Sequence, residues 1–368
     1  MTDTTAHAPV RGDQLSCYTA AIAAYMLRHG IDPDLALGTQ LFLAAQKDAG
    51  PLLRFVHYHT PLLGERPTHR LHLARQWAAD EREAGERIAA EVRRHGAAIV
   101  VGDGMNLPWL VTHGRRHAPH WFLVHGIDDA AGTAAASDAF EFMDEAGEQG
   151  AWSGEILLDR LGAAARVNPV EMEVYRAREH LAFGMEERTP HPVFSGHQWF
   201  EALEPPRART LAADDAWALL AATWRFHGGA AAPAHLEGRW TTGLAALAEV
   251  AATARAHLAD TALYDVRDDL WVAGRVREAF ARVLHRLAGE LDHGGLGELA
   301  AWCDAELVPQ WQAVPRLMRY NLGCLERGRR ASALLADTLD RIVALEAEAM
   351  ERLGVLAGAM AGEAVGAD

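Results

Sequence analysis

Three residues, Cys17, His120 and Asp138, are of the types that together perform nucleophilic acyl chemistry. The thiolate is the reactive form of cysteine. Cys17, Ala20, Ala21, Ala24 and Leu27 recur at helical spacing, with Asp13 and Ser16 as capping residues ahead of them and Gly30 behind. A helix is therefore expected with Cys17 in its first turn. There the helix dipole and the free backbone N–H groups favour an anionic sulfur. The same N–H groups can cradle the oxyanion that forms when the sulfur attacks a carbonyl. A cysteine taken at random is more often a packing residue than a nucleophile. Cys303 and Cys324, in apolar helical segments without a comparable histidine, are read as packing residues.

His120 separates Cys17 from the other two cysteines. It lies about a hundred residues further on and opens an apolar strand at 121–127. Asp128, Asp129 and Gly132 supply turn chemistry, and residues 133–142, which include Asp138, form the returning strand. Adjacent antiparallel strands can hold an imidazole beside a carboxylate, so that the acid orients the ring and stabilises its charged form. Asp128, Asp129 and Asp144 lie close by, and Asp138 is preferred for its place in the hairpin.

The elements that must position these groups can be sketched from periodicity. Residues 52–59 are apolar and partly alternating, which suggests a strand. Residues 70–95 are expected to form a long charged helix with Leu71, Ala74, Trp77 and Ala78 on one side, ending at Gly96. A buried strand follows at 97–101. Gly102-Asp103-Gly104 lacks the residues that complete a phosphate loop and is read as a turn. Five prolines between 165 and 208 mark a linker or domain edge. Beyond it, segments 214–226, 241–258, 275–291 and 331–353 are Ala- and Leu-rich with helical periodicity, and 357–368 reads as a frayed tail.

Composition narrows the possible functions. A chain of 368 residues, half of them hydrophobic, is long enough for two cores. The net charge of -15 argues against nucleic acid and favours cationic small molecules such as amines. No apolar run approaches the roughly 18 residues of a membrane span, and the first residues do not read as a signal peptide. Three cysteines without tight spacing suit reduced thiols, so a cytoplasmic location without membrane association is expected.

The run Asp13-Gln-Leu-Ser-Cys17 leading into an apolar helix, Pro119-His-Trp-Phe-Leu-Val-His-Gly-Ile-Asp128, and Ser137-Asp138 together resemble the N-terminal domain of the butirosin biosynthesis protein H family. More distantly the chain is similar to the papain-like peptidases that process bacteriocin leaders. The resemblance implies an α+β fold: a papain-like catalytic domain at 10–165, with a central helix packed on an antiparallel sheet, and a helical domain after it; the prolines and the helical periodicity put a linker or edge at 166–208 and an all-α domain at 209–356. It also implies a cysteine-dependent acyltransferase of antibiotic or other natural-product biosynthesis, with Cys17, His120 and Asp138 as its triad. The acyl donor would be an acyl carrier protein or other thioester, and the acceptor an amine. No cofactor is expected beyond the phosphopantetheine arm of a carrier donor.

Further residues complete the expected site. Gln14 is either a capping residue with Asp13 or, as in papain-like enzymes that place a glutamine shortly before the cysteine, an oxyanion donor. His57 and His59 share a face of their strand, either lining the acceptor pocket or packing as structural histidines. Arg115 and Arg116, just before His120, offer a basic landing site for an acidic carrier, or else form a solvated face. The clustered histidines are read as loop residues around a cleft, and no metal is expected. A peptidase or thioesterase uses the same residues with water as acceptor, and a binding protein on a degenerate papain-like fold is the reading from a different class.

Overall fold

A computed structural model describes residues 16–38, 41, 43–47, 53–56, 63–144, 147–168, 196–228 and 240–365. It is a mixed α+β chain that divides into two units. One comprises Met1–Pro33 and Pro61–Thr210, the other Asp34–Thr60 and Leu211–Asp368. Among the described residues no helix is long and apolar enough to cross a membrane.

The first unit is built on a seven-stranded antiparallel sheet. From one edge its strands are Trp152–Leu157, Thr133–Asp138, Pro119–Asp128, Ala98–Asp103 and Gly196–Ala202, with Arg166–Val167 and Leu73–Ala78 also pairing with Gly196–Ala202. Every residue of Ala98–Asp103 is buried, as its unbroken apolar run requires. Strand alternation sorts the side chains into two faces. Val100, Phe122, Val124, Ala136 and Trp199 pack with Ala84, Ile88 and Val92 of the helix Glu81–His95. Trp121, on the opposite face from Phe122, meets Tyr18 of the helix Cys17–Arg28 edge-on at 5.6 Å. The hairpin turn is closed by Asp128, whose carboxylate accepts from the N–H groups of Ala130 and Ala131, and by Gly132 at φ 68°.

Three expectations are corrected. The helix expected at 70–95 begins only at Glu81, where Asp80 caps the N–H of Glu83 at 2.9 Å. Leu73–Ala78 is instead a strand, in register with Ala202 to His197. Its apolar residues fit a helical stripe, but pairing with a strand more than a hundred positions away decides its conformation. The second correction concerns the linker at 166–208. Gly196–Ala202 lies inside the sheet, with His197, Gln198 and Trp199 buried, so these residues belong to the first unit.

The third is that the second unit is not all-α and does not begin at 209. It takes in residues 34–60, whose strand Ala44–Lys47 pairs with Leu53–Val56 and Thr241–Thr242. Its main elements are the helices Ala213–His227, Gly243–Ala256, Arg267–Glu290, Gly294–Trp302, Val308–Glu326 and Leu334–Val365. The last of these runs through most of the segment read as a frayed tail. Leu247, Phe280, Leu284, Trp311, Leu339 and Ile342 lie in one core with Cys303, and Cys324 is also buried.

Candidate functional site

The helix Cys17–Arg28 starts where its sequence indicates. Ser16 is the N-cap, its hydroxyl accepting from the N–H of Thr19 at 3.3 Å, and Cys17 is the first helical residue. The first-turn N–H groups have no acceptor within the helix, which is the setting that favours an adjacent anion. Cys17 is partly exposed, whereas the other two cysteines are buried. Burial, reinforced by Asp304 and Glu346, pushes the Cys303 thiol up to about 12.

His120 and Asp138 are brought together by strand register. Leu123 pairs with Ser137 and Val124 with Ala136. Continuing that register one step sets Asp138 beside Phe122, on the same face as His120 two residues away and diagonally across the strand pair. The side chains close that gap. The His120 Nε2–H donates to Asp138 Oδ2 at 2.6 Å, and both residues are buried. With Nε2 engaged, Nδ1 is the ring nitrogen left for the Cys17 sulfur, and interaction with Cys17 is among the causes that raise His120. Burial acts to discharge the ring. The Asp138 charge and hydrogen bond, followed by those of Cys17, outweigh it and raise His120 to about 10. At neutral pH the ring is therefore an imidazolium, hydrogen-bonded to Asp138.

Asp138 receives two further donors. The Trp109 indole N–H reaches Oδ2 at 3.0 Å, and the Phe140 backbone N–H reaches Oδ1 at 3.1 Å. Two of the neighbouring acids are engaged elsewhere: Asp128 closes the hairpin and Asp129 pairs with Arg93 at 2.5 Å. Asp103, read from sequence as part of a turn, is fully buried and organises the connection to the His120 strand. Its carboxylate accepts from Met105 N–H, from Ala118 N–H, and from His117 Nδ1–H at 2.6 Å.

The structure thus brings together Cys17, His120 and Asp138. Arg115 and Arg116 are exposed in a turn in which both backbone N–H groups donate to the Thr112 carbonyl. Gln14, His57 and His59 lie outside the described residues. The strand Leu53–Val56 preceding the two histidines belongs to the second unit, not to the sheet that carries His120. Sequence reasoning missed the Trp109 and Phe140 contacts to Asp138. Trp109 stands 29 residues from Asp138, and no local pattern links them. The chain matches no protein-family model and no curated protein.

Proposed function

We propose that this protein is a cysteine-dependent acyltransferase on a papain-like domain, and that Cys17, His120 and Asp138 are its nucleophile, acid–base group and orienting acid. The observation that supports the reading is the constellation itself: a partly exposed thiol at a helix N-terminus that interacts with an imidazolium whose Nε2 is held by a buried carboxylate. The Cys17 thiolate attacks the carbonyl carbon of an acyl thioester. The bond to the donor sulfur breaks, and that sulfur leaves with the proton from His120. An amine then attacks the Cys17 thioester while neutral His120 takes its proton. Loss of the acyl group restores thiolate and imidazolium.

The acidic chain favours a cationic amine as acceptor. The arginine pair at 115–116 offers a landing site for an acidic carrier protein in a natural-product pathway. Hydrolysis differs only in that water takes the acyl group.

Intact-protein mass spectrometry with a panel of N-acetylcysteamine thioesters tests the proposal. An acyl adduct is expected in the wild type and absent in Cys17→Ala, and added amines should release it as the amide. Release at the same rate without amine would assign the protein as a hydrolase. No adduct with any thioester or activated ester would overturn the catalytic reading in favour of a binding protein.

A further inference from the structure

We propose that Trp109 is a positioning residue for the proposed site: its indole N–H pins the Asp138 oxygen that receives the His120 proton, and the 104–118 connection is built to hold the indole there. The inference rests on Cys17, His120 and Asp138 acting as one unit, and it is indifferent to which acyl donor is used.

The geometry is specific. Trp109 Nε1–H and His120 Nε2–H converge on the same oxygen, Asp138 Oδ2, at 3.0 and 2.6 Å. The Phe140 N–H takes the other oxygen, so the carboxylate is held at both ends. The indole plane is held as well. It stacks on Trp152 with centroids 4.1 Å apart and planes within 4°, and Trp152 is the residue paired across the sheet with Asp138 itself. Its second contact is edge-on to Phe122 at 5.3 Å.

The surrounding backbone is tied down at both ends and in the middle. Asp103 accepts from Met105 N–H at the start of the connection and from Ala118 N–H and His117 Nδ1–H at its end. Gly104 N–H donates to the Ala118 carbonyl, and Val111 N–H donates to the buried Gln149 side chain at 2.9 Å. A tryptophan that only filled space would not need its one polar atom on the orienting carboxylate. A carboxylate free to turn would weaken the attraction that keeps His120 charged, and with it the support His120 gives the Cys17 thiolate.

The test is the pH dependence of Cys17 alkylation by iodoacetamide, followed by intact mass in the full chain, which requires no knowledge of the substrate. Trp109→Phe keeps a ring for the stack and removes the donor. A hydrogen bond to a charge corresponds to about one pH unit or a ten-fold change. The onset of fast alkylation should therefore move up by about one unit, with a roughly ten-fold slower reaction at pH 6. In an Asp138→Asn background the same substitution should change the rate by less than about two-fold, because the group it acts through has gone.

A Trp109→Phe profile superimposed on the wild type would overturn the inference alone, as would a shift that persists undiminished with Asp138→Asn. A wild-type Cys17 that titrates as an ordinary exposed thiol would overturn the catalytic reading and this inference with it. Should Trp109→Phe fail to fold, the indole N–H resonances of 15N-labelled wild type serve instead. One of the eleven should lie at low field and move in Asp138→Asn, and eleven unmoved resonances would overturn the proposal.

Discussion

Each unit contains a buried histidine–carboxylate pair with a tryptophan N–H on the carboxylate, and the two pairs are built for opposite ends. In the first unit Asp138 accepts from His120 at 2.6 Å and from Trp109 at 3.0 Å. In the second, Glu346 accepts from His227 Nε2–H at 2.5 Å and from Trp311 at 2.7 Å. The difference lies in the third partner. Arg277 binds Glu346 through Nε at 2.7 Å and Nη2 at 3.0 Å. Burial opposes the Glu346 charge, but Arg277 and His227 overcome it and hold the carboxyl well below the usual carboxylate range.

In the first unit no arginine is seen on Asp138 among these contacts, so its charge is directed at the imidazolium, which also interacts with the partly exposed Cys17. In the second, His227 is fully buried and its Nδ1 has no hydrogen-bond partner among the described residues. A histidine–carboxylate pair is therefore not in itself a site. The nucleophile beyond the ring and a route for substrate make it one.

The comparison can be broken or sharpened by substitution. The largest expected effect is from Cys17→Ala, which should abolish acyl-adduct formation in the mass assay with no loss of folded protein by circular dichroism. Asp138→Asn should lower turnover by about 10²–10⁴, the range for loss of organised acid–base catalysis, measured as kcat/KM with a responsive thioester.

The matching change in the other pair, Glu346→Gln, should act on stability instead. Leaving Arg277 charged and unpaired in the core costs about 3–5 kcal/mol, read from urea unfolding, while Cys17 alkylation in the folded protein stays as in the wild type. An effect of Glu346→Gln on that alkylation profile would break the distinction. His227→Gln, which spares the Glu346–Arg277 pair, should cost less, about 1–3 kcal/mol.

Protonation offers a further contrast. His120 is raised in the folded state, so its contribution to stability is complete below its ordinary value near 6.5 and is lost as pH rises through about 10. Activity that depends on the imidazolium should fall over the same upper window. In Asp138→Asn that limb should shift downward, because the largest favourable contribution to the raised value is removed. The smallest effect expected is from Arg115→Ala with Arg116→Ala. It should raise KM a few-fold for a carrier-borne donor and leave a small thioester unchanged, since exposed ion pairs contribute under about 1 kcal/mol.

Much of this site was legible because its determinants are local. The Ser16 cap, the small apolar run after Cys17, and the Asp128–Gly132 turn between two alternating segments each act within a few residues. They set helix start and hairpin pairing without reference to the rest of the chain. The same holds for the Ala- and Leu-rich helices of the second unit, although Gly294–Trp302 and Val308–Glu326 fall in none of the segments read as helical from periodicity.

The amino-acid sequence by itself determined that Cys17 begins a helix and that His120 and Asp138 share a hairpin, because caps, turns and two-residue alternation are short-range. Only the tertiary structure decided that Leu73–Ala78 is a strand, that Gly196–Ala202 completes the sheet, that residues 34–60 join the helical unit, and that Trp109 meets Asp138. Each of these is a contact between distant segments, whose free energy comes from surfaces that local spacing does not encode. For the cysteine the division is the same: its helix was written locally, and the charged imidazole beside it came from packing.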